Sequence, residues 1–305
     1  MVTFPLMLLA AAFVIAQVGN AVWTVARPAE CAPLAAQTAS NVWERAKYAS
    51  LRRYCDLLAA GAAKLASGAS GGSEAREAIA SAEEASRALP GHAAPLVLRG
   101  RALVALGQFQ EGVSAMEAAE ALEPHALADP AALFAWSRAL GRVGRSTDAR
   151  AAFRALLPVA GALAPAERGR AEIEAALLAQ ARGPDGLAEA IPLFRQARRD
   201  AQDALQSLAG LALSLALDRA GEREESRVPG AGKQDPRETV NDPRVREALA
   251  DAGVGAEADA LAAFALEGRD PAAARELWAS YLAGSGGKGP WADHARTLAQ
   301  RAHGR

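Results

Sequence analysis

The chain has 305 residues, and its 34 Lys and Arg against 35 Asp and Glu leave a net charge of -1. Its 80 alanines stand against 4 isoleucines and 5% aromatic residues, a composition that favours strong helix formers and argues against a β-sandwich or a parallel α/β core. The balanced charge supplies no overall field for a polyanion, so nucleic acid is not an expected partner.

From Phe4 to Val18 the chain reads FPLMLLAAAFVIAQV, and no charged side chain precedes Arg27. Residues 1–25 therefore read as a signal peptide or an N-terminal membrane anchor. Cleavage after Ala21 fits the small residues Gly19-Asn20-Ala21. The 22-residue apolar run Phe4–Val25 is equally long enough to span a ~30 Å hydrocarbon layer uncut. Arg27, Arg45, Lys47, Arg52 and Arg53 follow it, and the positive-inside rule would keep them in the cytoplasm. Export to the periplasm or cell envelope and a cytoplasm-facing anchored form both stay open, with membrane contact expected through this segment alone.

Residues 26–44 read as a linker. The two cysteines, Cys31 and Cys55, lie just beyond the apolar stretch. A helix starting near Ser40 would carry Cys55 about 22 Å along its axis, and the extended chain from Cys31 covers roughly 30 Å, so a disulfide can close. The alternative is a buried Cys55 and a loop thiol at Cys31. Pro28-Ala29-Glu30 before Cys31 does not match a lipoprotein acylation site.

Self-similarity organises residues 45–228. Glu77-Ala78-Ile79, Ala82, Ala85 and Pro90 recur 34 residues later as Glu111-Gly112-Val113, Met116, Ala119 and Pro124. In the stretch from Ala93 to Ala126, Leu96, Gly100 and Leu103 precede Gly107, and Gln108-Phe109-Gln110-Glu111 opens a second helix. Weaker copies follow. Leu133, Ser137 and Leu140 lead through Gly144 to Asp148-Ala149, Phe153 and Leu156, and Leu177 and Ala181 lead to Glu189-Ala190-Ile191, Phe194 and Ala197. Leu208–Ala220 supplies one more first helix, Pro229 breaks its partner, and residues 229–243 read as a loop. Residues 244–305 read as a last helix pair, Ala258–Glu267 with Ala272–Ser280, and a capping helix from Trp291 to Ala302 whose polar outer face is Asp293, Arg296, Gln300 and Arg301.

The 34-residue period and these positions resemble the tetratricopeptide repeat, whose pattern is W-x2-L-G-x2-Y, then A-x3-F, then P. The resemblance implies an all-α, right-handed solenoid of helix-turn-helix repeats. It further implies a groove, lined by first helices, that receives a peptide or helix of a protein partner. Projected onto this chain, the groove residues are Arg101, Phe134, Arg138, Arg142, Arg182 and Arg219, and five arginines there would suit an acidic peptide. Arg is also the general surface cation, 30 of the 34 basic residues.

Little suggests catalysis. His92 and His125 follow the repeat-ending prolines, and neither they nor His294 and His303 form a cluster with metal-ligand spacing. Gly232-Lys233-Gln234 and Gly287-Lys288-Gly289 lack the spacing and the Ser or Thr of a phosphate loop. Glu83-Glu84 and Glu224-Glu225 are adjacent, and adjacent side chains on a helix diverge. The expectation is a non-catalytic scaffold without cofactor or metal, the alternatives being a permanent architectural subunit of an envelope complex and, last, an enzyme.

Overall fold

A computed structural model describes residues 28–35, 48–66, 72–222, 235–284 and 287–301. The apolar segment 1–25, most of the 26–44 linker, the first part of the 229–243 loop, Glu224-Glu225 and His303 lie outside the described residues. No described helix is long and apolar enough to cross a membrane.

All regular structure among the described residues is helical. A short helical turn, Ala29–Cys31 and Ala32–Ala35, precedes α1 (Ala49–Ala66), α2 (Gly72–Ala88), α3 (Ala94–Ala105), α4 (Phe109–Leu122), α5 (Pro130–Arg142), α6 (Ser146–Leu156) and α7 (Pro165–Gln180). Then come α8 (Pro184–Asp200), α9 (Asp203–Arg219), α10 (Pro236–Asn241), α11 (Pro243–Asp251), α12 (Glu257–Leu266), α13 (Pro271–Gly284) and α14 (Ala292–Arg301). The chain divides into two compact units, the first ending at Ala131 and the second beginning at Ala132.

In the first unit, α1 and α2 run antiparallel: Arg53 pairs with Glu84 at 3.4 Å, and Lys64 with Glu77 near the other end. Between α3 and α4 the backbones themselves meet, because a Cβ on Gly100 would stand 3.1 Å from the Gly112 carbonyl and also strike Met116. Only glycine permits that approach. Cys31 and Cys55 form a disulfide with Cα atoms 6.0 Å apart, which fastens the 29–35 turn to α1 where the sequence suggested a linker. In the second unit, α7 and α8 form a tight antiparallel pair, with Gly186 at the Ala179 carbonyl and Gly169 at Ala201. The α12–α13 pair is antiparallel as well, Glu267 meeting Trp278 and Asp259 meeting Ser280.

Two features recur along the chain. Ala78, Gly112, Ala149 and Ala190 are buried. Each is followed four residues on by Ala82, Met116, Phe153 or Phe194 and seven on by Ala85, Ala119, Leu156 or Ala197, all at most 2% exposed. This i, i+4, i+7 stripe is the face a second helix buries. Helices α3, α5, α9 and α11 also share an ending. Leu103, Leu140, Leu217 and Leu249 each precede by four residues a glycine of positive φ (Gly107, Gly144, Gly221, Gly253), and the N–H after the glycine returns to the leucine carbonyl at 2.8–2.9 Å. A left-handed glycine satisfies the last carbonyls of the helix and sends the chain back antiparallel.

The 229–243 stretch needs correction, since Pro236–Asn241 is helical. Asp235 accepts the Arg237 N–H at 2.9 Å, and proline occupies the first helical position, where its missing N–H costs nothing. Two prolines of this run, Pro236 and Pro243, start helices instead of breaking them. At the carboxyl end α14 caps the second unit, with Trp291 buried and Asp293 and Arg296 exposed.

Candidate functional site

The densest chemistry in the second unit lies where α5, α7 and α11 converge. Each helix contributes two charged residues one turn apart: Arg138 and Arg142, Arg170 and Glu174, Glu247 and Asp251. At i, i+4 spacing, each pair projects from one helix face. Asp251 is fully buried and accepts hydrogen bonds from Arg138 (Nε, 2.6 Å), Arg142 (Nε, 2.5 Å) and Arg170 (Nη2, 2.7 Å). Glu247, nearer solvent, takes Arg138 at 3.1 Å and Arg170 at 3.3 Å. Glu174, also fully buried, takes Arg170 at 2.7 Å and lies 3.7 Å from Arg138.

Local sequence makes this convergence possible. Asp242 caps α11 by accepting the Arg244 N–H at 2.8 Å, and Pro243 follows at the first helical position. Val245, Ala248 and Leu249 then bury the apolar side of the helix. Its end reaches α5 only because residue 141 is glycine, since a Cβ there would overlap the Asp251 carbonyl oxygen. Burial pushes the Glu174 carboxyl above its ordinary range against the opposite pull of Arg138 and Arg170. Burial disfavours charge on Arg170, but Glu174, Asp251 and Glu247 outweigh that and raise its pKa. Three cations thus face three carboxylates of the same chain, with Asp251 and Glu174 fully buried and Glu247 at the solvent edge.

The expected groove residues are placed as follows. Arg138 and Arg142 come together, and the carboxylate they hold belongs to the chain itself. Phe134 is 6% exposed beneath the Arg138 guanidinium, which stands 5.4 Å from the ring centre. Arg182 pairs with Glu189 at 3.4 Å, and Arg219 lies over Trp291 at 5.2 Å. Burial lowers the pKa of Arg219, whose Nε and Nη2 are sealed without a hydrogen-bond partner. Arg101 belongs to the first unit, where it faces Asp129 at 3.9 Å. Sequence reasoning missed Arg170, Glu174, Glu247 and Asp251. Their signal was the i, i+4 charge spacing on helices otherwise patterned for burial.

Other polar clusters are local. Beside the disulfide, the Tyr54 hydroxyl donates to Glu30, and His92 lies 3.4 Å from Glu123 with its ring against Tyr54. Burial, then Glu30, pushes the Tyr54 phenol well above its usual value. In the last helices, Glu257 accepts from the Tyr281 hydroxyl, which itself accepts the Trp291 backbone N–H, and burial raises the Glu257 pKa to about 7. His294 packs on Trp278 and meets Glu267 at 2.6 Å. His125 is exposed, in a turn of positive φ. Among the described residues no group of three or more His, Cys, Asp or Glu could hold a metal ion. Comparison with protein-family models, with curated proteins and with solved structures finds no match to this chain. What the fold defines is an all-α protein of packed helix pairs.

Proposed function

We propose that this chain is a tetratricopeptide-type α-solenoid acting as a non-catalytic protein-binding scaffold, exported to a bacterial envelope or anchored there through its N-terminal segment. The observation that carries the reading is recurrence. The buried i, i+4, i+7 stripe returns in α2, α4, α6 and α8, and the same Leu-x3-Gly helix ending closes α3, α5, α9 and α11. Stacked pairs of this kind bury their stripes against neighbours and leave broad exposed surfaces for partners. The Cys31–Cys55 disulfide favours the exported form, because such bonds persist in oxidising compartments.

An acidic peptide or helix is the favoured ligand class. Arg138, Arg142 and Arg170 already grip carboxylates four residues apart on a short helix, so a partner at this face must match α11 or displace it. Crosslinking of the tagged full chain in its source cells, followed by binding of the purified partner, tests the proposal. The expected result is a reproducible protein partner whose binding weakens as salt rises. A chain that crosslinks to no protein overturns the scaffold reading. A partner whose binding is indifferent to salt overturns the acidic-ligand reading.

A further inference from the structure

The arginines that the sequence assigned to a ligand groove are engaged within the chain. Arg138 and Arg142 hold Asp251, Arg182 meets Glu189, Arg219 lies over Trp291, and in the first unit Arg101 faces Asp129. Elsewhere in the first unit Arg53 pairs with Glu84 across α1 and α2. Arg87 on α2 and Arg99 on α3 differ. Both are exposed, and among the described residues no carboxylate pairs with either, although Glu83 stands one helical turn before Arg87.

These two arginines flank a groove of about 290 Å3 between α2 and α3. Glu83, Ser86 and Arg87 share one face of α2, and Pro95, Leu96 and Arg99 share one face of α3, through the three- and four-residue spacing of helical neighbours. The floor is apolar, with Ala82 and Pro95 buried and Leu96 half-buried, and the exposed charges form the rim. The second helix of one pair and the first helix of the next build this groove, whereas first helices alone line the groove that the repeat resemblance implies. We infer, on the acidic-ligand reading given above, that the α2–α3 groove receives an acidic segment of a protein partner, with carboxylates on Arg87 and Arg99 and an aliphatic side chain on Pro95 and Leu96.

Charge and size select this occupant. Two guanidiniums against one rim carboxylate leave an excess positive charge, and the guanidinium fork matches a carboxylate in shape as well as in sign. Glu83 repels an acid placed beside it, which directs the incoming carboxylates to the two arginines. The volume is at the lower end for small-molecule sites, enough for one or two side chains of a passing peptide. Exposed ion pairs are individually weak, so the apolar floor must add its contact to theirs.

The test follows the fluorescence anisotropy of a labelled peptide, four glutamates around a central leucine, titrated with the full chain. Saturable binding is expected, weakened about fivefold by Arg87→Ala together with Arg99→Ala and restored in part when both arginines become lysine. Arg76→Ala, exposed on the same helix but outside the groove, should bind as wild type does. Because both replaced side chains are exposed, the melting midpoint should not move, and bound peptide should slow hydrogen exchange over 82–87 and 95–99. Absence of saturable binding, or undiminished binding by the double alanine variant, overturns the groove. If salt still weakens that undiminished binding, the acidic-ligand reading stands without the groove; if neither salt nor exchange of the four glutamates for glutamine alters it, both fall.

Discussion

Replacing Asp251 with alanine removes the centre of the α5–α7–α11 junction. Its carboxylate takes Nε of Arg138 and of Arg142 and Nη2 of Arg138 and of Arg170, and it is fully buried. Breaking a buried ion pair from one side typically costs about 3–5 kcal/mol, because the remaining charge stays desolvated. The lower end applies here. The three guanidiniums are 18–28% exposed and can reach water, and Arg138 and Arg170 keep Glu247 and Glu174. About 3 kcal/mol in a unit of this size lowers the melting midpoint by roughly 6–12 °C. Thermal unfolding followed by circular dichroism measures it, with hydrogen exchange over 243–251 locating the loss. Arg244→Ala is the control, since the exposed Arg244–Asp203 pair at 3.4 Å contributes under about 1 kcal/mol. An Asp251→Ala midpoint no lower than that of Arg244→Ala would show that α11 is held by its apolar side alone and that the network carries no stability.

Gly100→Leu should cost at least about 1–3 kcal/mol by overpacking, since Met116 and the Gly112 carbonyl occupy the space its side chain needs; an unchanged melting midpoint would refute the close approach of α3 and α4. Protein purified from its native compartment should label no thiols when denatured, and reduction of Cys31–Cys55 should lower the stability of the first unit by about 3 kcal/mol, whereas two reactive thiols would place this part of the chain in a reducing compartment. Glu257 has its pKa raised by burial from 4.5 to about 7, so folding retains a proton that the unfolded chain releases. Its penalty is absent below pH 4.5, grows to roughly 3 kcal/mol by pH 7 and stays constant above. Glu257→Gln should therefore be more stable than wild type at pH 8 and equal to it at pH 4.5, and a pH-independent difference between them would show that Glu257 is not protonated in the fold.

Much of the helical architecture is legible in the residues. Alanine content and the i, i+4, i+7 stripes give the helices, because one helix face must be apolar whatever it packs against. Glycines four residues after leucine give the helix ends, because a left-handed residue is a local requirement. Gly100 could be read as a close approach for the same reason: without a Cβ its effect on neighbours is short-ranged. Cysteine spacing permitted a bond but could not choose between a disulfide and two thiols, since closure depends on where the 29–35 turn settles against α1.

The junction of α5, α7 and α11 was decided by tertiary structure. Arg138 and Arg142 were visible as two forks on one helix face, but the partner that binds them lies 109 residues or more along the chain. No local pattern ranks one distant carboxylate above another. Asp251 wins because Gly141 admits the end of α11 and because Val245, Ala248 and Leu249 carry that helix into the core. Glu172 and Glu174 look alike in sequence as two acids on one amphipathic helix. Their different chemistry, Glu174 held by Arg170 with Arg138 close by and Glu172 with an Oε2 that no donor reaches, arises only once the neighbouring helices have packed on α7, because an ionisable group's proton affinity is set by the dielectric and the charges that packing brings to it.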